Sequence, residues 1–169
     1  TLYYLYRHIA FINKVLAKVS ENELEISNEV FNWFRDINKI YKKYSPAAIK
    51  QIDAVKRKTF VQDLQKVFSN YRQKTYNKNS SNKNKIKVID LINFNNLVLS
   101  HFGSTINNNY KKSLYSAYNT INIDSSNKIN VTSLYPMLEG QVSALSSGKI
   151  KPKNAIKVLN ALFESDMYQ

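Results

Sequence analysis

The chain has no cysteine. That excludes a disulfide framework and a thiolate metal site, and it leaves the redox compartment open. Glycine and proline number three each in 169 residues. So few chain breakers favour helices, because turn-rich β proteins usually need more of both. No apolar run reaches the length of a membrane-spanning helix. No glycine-rich phosphate loop occurs, and there are two histidines, His8 and His101, neither with a carboxylate three or four residues away. The helical metal motifs HExxH and Glu-x-x-His are therefore absent. Carboxylates cluster only at Glu21, Glu23 and Glu25, where helix capping and the helix dipole account for them. The expectation is a protein that is not an enzyme, with no cofactor, no metal and no small-molecule substrate.

What is abundant is positive charge. Lys and Arg total 25 against 12 Asp and Glu, a formal net charge of +13. Such a surface attracts polyanions: anionic lipid, nucleic acid or sulfated glycans. The plain alternative is a lysine-rich solvated shell. Apolar residues make up 43%, enough for one packed domain over residues 1–169. Asn, Lys, Ile and Tyr are used heavily, a bias that an AT-rich genome imposes.

Apolar positions recur at helical spacing. Leu2, Leu5, Ile9, Ile12, Leu16 and Val19 alternate at three and four. The register continues through Glu23, Ile26, Val30, Trp33, Ile37, Ile40 and Tyr44, which predicts a long helix with Trp33 largely buried. A helix over 2–44 would be roughly 65 Å long. Ser20 and Glu23 form a capping box, so a break is expected near 19–23. Ser45-Pro46 opens a second segment with Ile49, Ile52, Val55, Phe60, Leu64, Val67, Phe68 and Tyr71, thin at Lys56–Thr59. The polar run 77–85 is a loop. A third segment carries Val88, Leu91, Ile92, Phe94, Leu97, Val98 and Phe102, stops at Gly103-Ser104, and resumes through Ile106, Tyr110, Leu114, Ala117, Tyr118 and Ile121. After a loop at 122–128, Thr132 or Ser133 caps a fourth segment with Pro136 in its first turn and Leu134, Leu138, Val142 and Leu145 on its face. Gly148 stops that segment, and Pro152 restarts it with Ile156, Leu159, Leu162, Phe163 and Met167. The expected fold is all-α: an up-down-up-down four-helix bundle whose helices are broken near their middles, at Ser20, Glu23, Gly103, Gly148 and Pro152.

The candidate polyanion contacts are Lys42, Lys43, Lys56, Arg57, Lys58, Arg72, Lys74, Lys111, Lys112, Lys149, Lys151 and Lys153. Several interleave with tyrosine, in "YKKY" (41–44), "YRQKTYNK" (71–78) and "YKK" (110–112). Tyrosine over bases with lysine on phosphate suits single-stranded nucleic acid, and the same pair suits a membrane interface. Scarce arginine ranks base readout lower. Asn79-Ser80-Ser81 and Asn130-Val131-Thr132 match the glycosylation triplet.

The Asn/Lys-rich runs "NKNSSNKNK" and "NIDSSNK", the absence of cysteine, the start "TLYYLYRH" without methionine, and four segments broken midway together resemble the small sporozoite cell-traversal proteins of malaria parasites. The resemblance implies a secreted, non-enzymatic helical bundle, trimmed of a signal peptide, used in crossing host cells, and it carries over no catalytic residue. "DLINFNNLVLSHFG" (90–103) also looks like the core helix of Bcl-2-like proteins, without their Trp-Gly-Arg signature. The leading expectation is a bundle that binds an anionic membrane or a host or parasite protein, its interrupted helices straightening at Gly103 and Gly148. The rivals are a basic nucleic-acid-binding protein and a structural partner-binding bundle.

Overall fold

The computed structural model describes residues 1–47, 52–77, 82–123 and 128–168. Among them the chain forms six helices and three two-stranded antiparallel ribbons. In chain order these are α1 (Leu2–Leu16), β1 (Glu23–Ser27), α2 (Asn28–Lys43), α3 (Ala54–Asn77), β2 (Lys83–Lys87), α4 (Val88–Asn108), β3 (Tyr110–Lys111), β4 (Leu114–Tyr115), β5 (Asn119–Ile123), β6 (Ile129–Ser133), α5 (Leu138–Ser146) and α6 (Pro152–Phe163). The fold is mixed α and β, which corrects the expected all-α four-helix bundle.

Four stretches read as helix, loop or helix cap are strands. The first helix does end before 20, but Glu23 opens β1 and is no capping-box residue. Ser20 Oγ bonds Glu21 instead. Ile26 lies on the heptad seam but also satisfies a spacing of two with Leu24, and β1 pairs with β2 from Glu23↔Lys87 to Ser27↔Lys83. Alternation puts Glu23, Glu25, Lys85 and Lys87 on one face of that ribbon and Leu24, Ile26 and Ile86 on the other. Lys83 lies 3.5 Å from Glu25 and Lys85 3.7 Å from Glu23. The expected loop 77–85 is thus β2 from Lys83 onward. The expected restart after Gly103 as a helix to Ile121 also fails. Helix α4 runs unbroken through Gly103 to Asn108, and Asn107, Asn108 and Asn109 end it. A tight turn at Lys112 and Ser113 then joins β3 to β4, both residues holding positive φ (49° and 64°). Thr132 and Ser133 cap no helix; they close β6, and α5 begins at Leu138. Neither "NTINI" nor "INVTS" holds a charge, and their β-branched side chains suit a pleat.

Helix α3 starts at Ala54 rather than at Pro46, with the Asp53 carboxylate accepting from the Lys56 N–H at 2.8 Å. Lys56–Thr59 sit inside its continuous first turns. Ile49, Lys78 and the triplet at Asn79 fall outside the described residues. Gly148 stands just past α5 at φ 75°, and Pro152 is the first residue of α6.

Helix α4 runs antiparallel to α1, with Asn13 bonded to Asn96 and Gly103 beside Tyr6. It runs parallel to α2, with Phe34 on Phe94 and Tyr41 on His101. Helix α3 packs along α2, where Trp33 lies between Phe68 and Tyr71, and reaches α4 through Phe60 on His101. Trp33 is half-buried, less than its seam position predicts, and its Nε1 has no acceptor among the described residues. One cluster of the core gathers Tyr3, Ile106, Tyr115, Ala144 and Val158 from α1, α4, β4, α5 and α6, while Ile37, Ile40, Ile86, Val88 and Val98 are buried elsewhere along α2, β2 and α4. Beside that cluster Gln141 is fully buried and behaves as a strand partner. Its Oε1 accepts from the Tyr115 N–H and its Nε2 donates to the Tyr115 carbonyl, both at 2.8 Å. That pairing satisfies two backbone groups of β4 that would each cost about 1–3 kcal/mol if buried alone.

Candidate functional site

The twelve candidate cations do not converge on one groove. Several are tied to structure. Lys43 Nζ bonds Asp63 at 2.9 Å, and Tyr44 donates to the same carboxylate at 3.0 Å. The Lys43 contact, ahead of the Tyr44 bond, holds Asp63 below the usual carboxylate range. Lys56 lies 3.6 Å from Asp53. Arg57 donates to the carbonyls of Ile129 (2.6 Å) and Ile52 (3.3 Å), clamping the start of α3 to β6. Lys111 donates to Ser133 at 3.3 Å, and Lys112 occupies the β3–β4 turn. Lys42, Arg72 and Lys74 are exposed on α2 and α3, and Lys58 is half-buried. Lys149 extends over the Tyr6 ring, while Lys151 and Lys153 stand exposed at the start of α6.

The tyrosines beside these cations turn inward. Tyr41 packs edge-on against Phe60, Phe94 and His101, Tyr44 is buried, Tyr71 leans on Trp33 and Tyr110 on Tyr115. Of this set, only Tyr76 offers an open ring. His101 Nε2 lies 2.9 Å from the Tyr41 carbonyl, to which it donates in its Nε2–H tautomer. Burial pushes the imidazole below its ordinary value, against that bond. An open cleft of about 910 Å³ adjoins these rings, lined also by Arg57, Lys111, Asn109, Asn119 and Val131, with no carboxylate among the described residues of its wall.

A sharper pattern lies on α1, among residues that sequence reasoning assigned only to a buried seam or left aside. The seam positions Ile9, Ile12 and Leu16 are half-buried, and Tyr3 points into the core. On the opposite side Tyr4, Phe11 and Val15 stand exposed, Phe11 by 59%. Spacings of seven and four put these three in one row. Arg7 and Lys14, exposed as well, form a second row one step round the helix, and the exposed Lys18 follows in the turn just past its end. Residues 1–20 hold no Asp or Glu. That absence, with the 7–14–18 spacing, was the available signal. Helix α6 repeats the arrangement. Val158 is buried, while Ile156, Leu159 and Phe163 form an exposed row beside Lys153 and Lys157.

Among the described residues no helix is long and apolar enough to cross a membrane, and no three His, Cys, Asp or Glu side chains gather as a metal site. No family model matches the chain, and no curated protein matches it.

Proposed function

We propose that this protein acts by binding, without catalysis, to the anionic face of a membrane, with α1 as the contacting element. The observation that carries this reading is the exposed Tyr4, Phe11 and Val15 row beside Arg7 and Lys14 on a helix free of carboxylates, with Lys18 just past its end. An interfacial helix needs both parts: apolar side chains that enter the headgroup boundary and cations that meet lipid phosphate. Three cations near an anionic surface supply about 3 kcal/mol. Each apolar side chain adds about 1–2 kcal/mol when its exposed part leaves water. The sum suits reversible surface binding rather than insertion. Helix α6 offers a second row of the same chemistry. Straightening at Gly103 is no part of this proposal, because α4 is already continuous there. The resemblance to cell-traversal proteins lends a setting, a secreted protein that meets host membranes. One feature behind that resemblance, four helices broken midway, is absent from the fold.

The test is sedimentation with vesicles of phosphatidylcholine alone or with about one third phosphatidylserine, at about 50 and 300 mM salt. Binding is expected only to the anionic vesicles, weakening several-fold at the higher salt. Phe11→Ser, at an exposed site, is expected to weaken it about tenfold without changing the circular dichroism spectrum. Equal binding to both vesicle types, or none at low salt, overturns the proposal.

A further inference from the structure

The β5–β6 ribbon is unfinished on one side. Strand β6 lies against α3, where Arg57 donates to the Ile129 carbonyl and Ile129 is buried. Strand β5 overhangs, and all five of its residues are exposed. The register pairs Ile121 with Val131 and Ile123 with Ile129, so these four side chains share one face. Ile121 and Ile123 are each 65% exposed. Two-stranded ribbons are marginal alone, and a third strand with an apolar face is the usual remedy.

The free edge has a definite pattern. The Leu134 N–H donates to the Tyr118 carbonyl at 3.1 Å, extending the same register by one residue. Tyr118, Thr120 and Asn122 therefore direct their backbone groups towards β6, and Asn119, Ile121 and Ile123 direct theirs outward. Among the described residues no backbone hydrogen bond reaches those outward groups. The edge also lacks the usual guards. Neither 113–123 nor 129–138 holds a charged residue, in a chain that is 22% charged. Lysine, proline or a bulge normally protects such a strand, and β5 has none of them.

We infer that β5 is a self-association edge, which pairs antiparallel with β5 of a second copy about a two-fold axis through Ile121. The occupant follows from symmetry and charge. Outward groups at 119, 121 and 123 are self-complementary: Ile121 faces its own copy, and Asn119 faces Ile123 on either side. That makes about six backbone hydrogen bonds and one four-stranded sheet. Two chains of net charge +13 repel over most of their surface, and this neutral ribbon is where they can meet without juxtaposing like charges. The shared sheet would also bring Ile121 and Ile123 of both copies onto one continuous apolar face.

The experiment is analytical ultracentrifugation of the whole chain from micromolar to submillimolar concentration, at a salt level that screens the net charge. A concentration-dependent dimer is expected. Ile121→Pro deletes the central outward N–H and leaves the β5–β6 ladder intact, so it should give a monomer with unchanged circular dichroism. Ile121→Cys supplies a chain that has no other thiol. Facing Cβ atoms of a hydrogen-bonded pair stand about 5.5 Å apart, too far for a relaxed disulfide but within reach of a short bis-maleimide, so that reagent should give a covalent dimer. A parent that stays monomeric throughout overturns the inference and turns attention to a strand from another protein. So does a dimer that survives Ile121→Pro, or an Ile121→Cys chain that does not cross-link.

Discussion

Gly103 and Gly148 look alike in sequence and sit in opposite environments. Gly103 lies inside α4, buried, where an added Cβ would meet Lys149 Cε and Nζ at 3.2 Å and the Tyr6 ring at 3.8 Å. The near contacts are the far end of a flexible side chain, which can swing away. Glycine in a helix interior costs up to about 1 kcal/mol against alanine, so Gly103→Ala should stabilise the protein by about 0.5 kcal/mol. At Gly148 an added Cβ would meet nothing, but φ is 75°. A left-handed backbone costs an L-residue about 1–2 kcal/mol, and Gly148→Ala should destabilise by about 1 kcal/mol. Urea midpoints of the two variants measure this. Shifts of the same sign would mean that one of these backbone assignments is wrong.

Between elements, His101 is the titratable group placed where α2, α3 and α4 meet. Its ring packs edge-on to Tyr41 and stacks on Phe60, and its Nε2 is committed to the Tyr41 carbonyl. Burial lowers its folded value below the ordinary imidazole range, so the unfolded chain takes up the proton first as pH falls. The stability tied to neutral His101 is therefore complete above the unfolded value of about 6.5 and is lost as pH drops from there towards the folded value. Asp63, lowered chiefly by its bond from Lys43, behaves in the same direction at more acid pH: its contribution is present above the ordinary aspartate range and lost below it. Urea unfolding at pH 7.5 and pH 5 should show a drop in midpoint for the parent. His101→Gln retains a donor for the Tyr41 carbonyl and should flatten that drop. An equally steep drop in the variant would remove His101 as its source.

For the molecule as a whole, charge opposes compactness. Twenty-five cations face 12 carboxylates, and the ion pairs on the surface are mostly exposed, as at Lys56–Asp53 and Lys83–Glu25. Such pairs contribute about 0–1 kcal/mol each, whereas uncompensated like charges repel throughout. Salt screens both, and repulsion is the larger sum. Raising salt from about 20 to 300 mM should therefore raise the melting temperature, as differential scanning fluorimetry can follow. A fall would mean that attractive pairs dominate. The accessible surface, 11612 Å² for 19.6 kDa, exceeds the roughly 8,600 Å² usual for a folded monomer of this mass. That excess fits a molecule with several exposed apolar rows.

By itself the sequence indicated helix over most of 2–44 and over 88–102, because a spacing of three and four sustained over many residues favours helix, but not that 23–27 leave it as a strand. It also determined the stop at Gly148 and the start at Pro152, where backbone freedom and a fixed φ act locally. The net charge and the missing thiols were equally plain. The strands were not legible, because Ile26 and Ile121 fit a sparse helical stripe as well as the period of two they share with Leu24 and Ile123, and only a partner decides between them. For β1 that partner is β2, distant in sequence. For β4 it is β3, with a glutamine side chain on α5 taking the remaining backbone groups of Tyr115. Tertiary structure also decided which face of α1 is buried. Tyr3 and Phe11 are similar residues on one helix, and the core formed with α4, β4, α5 and α6 took Tyr3 and left Phe11 in water. Burial is a property of what packs against a residue, and the candidate surface is what that packing left uncovered.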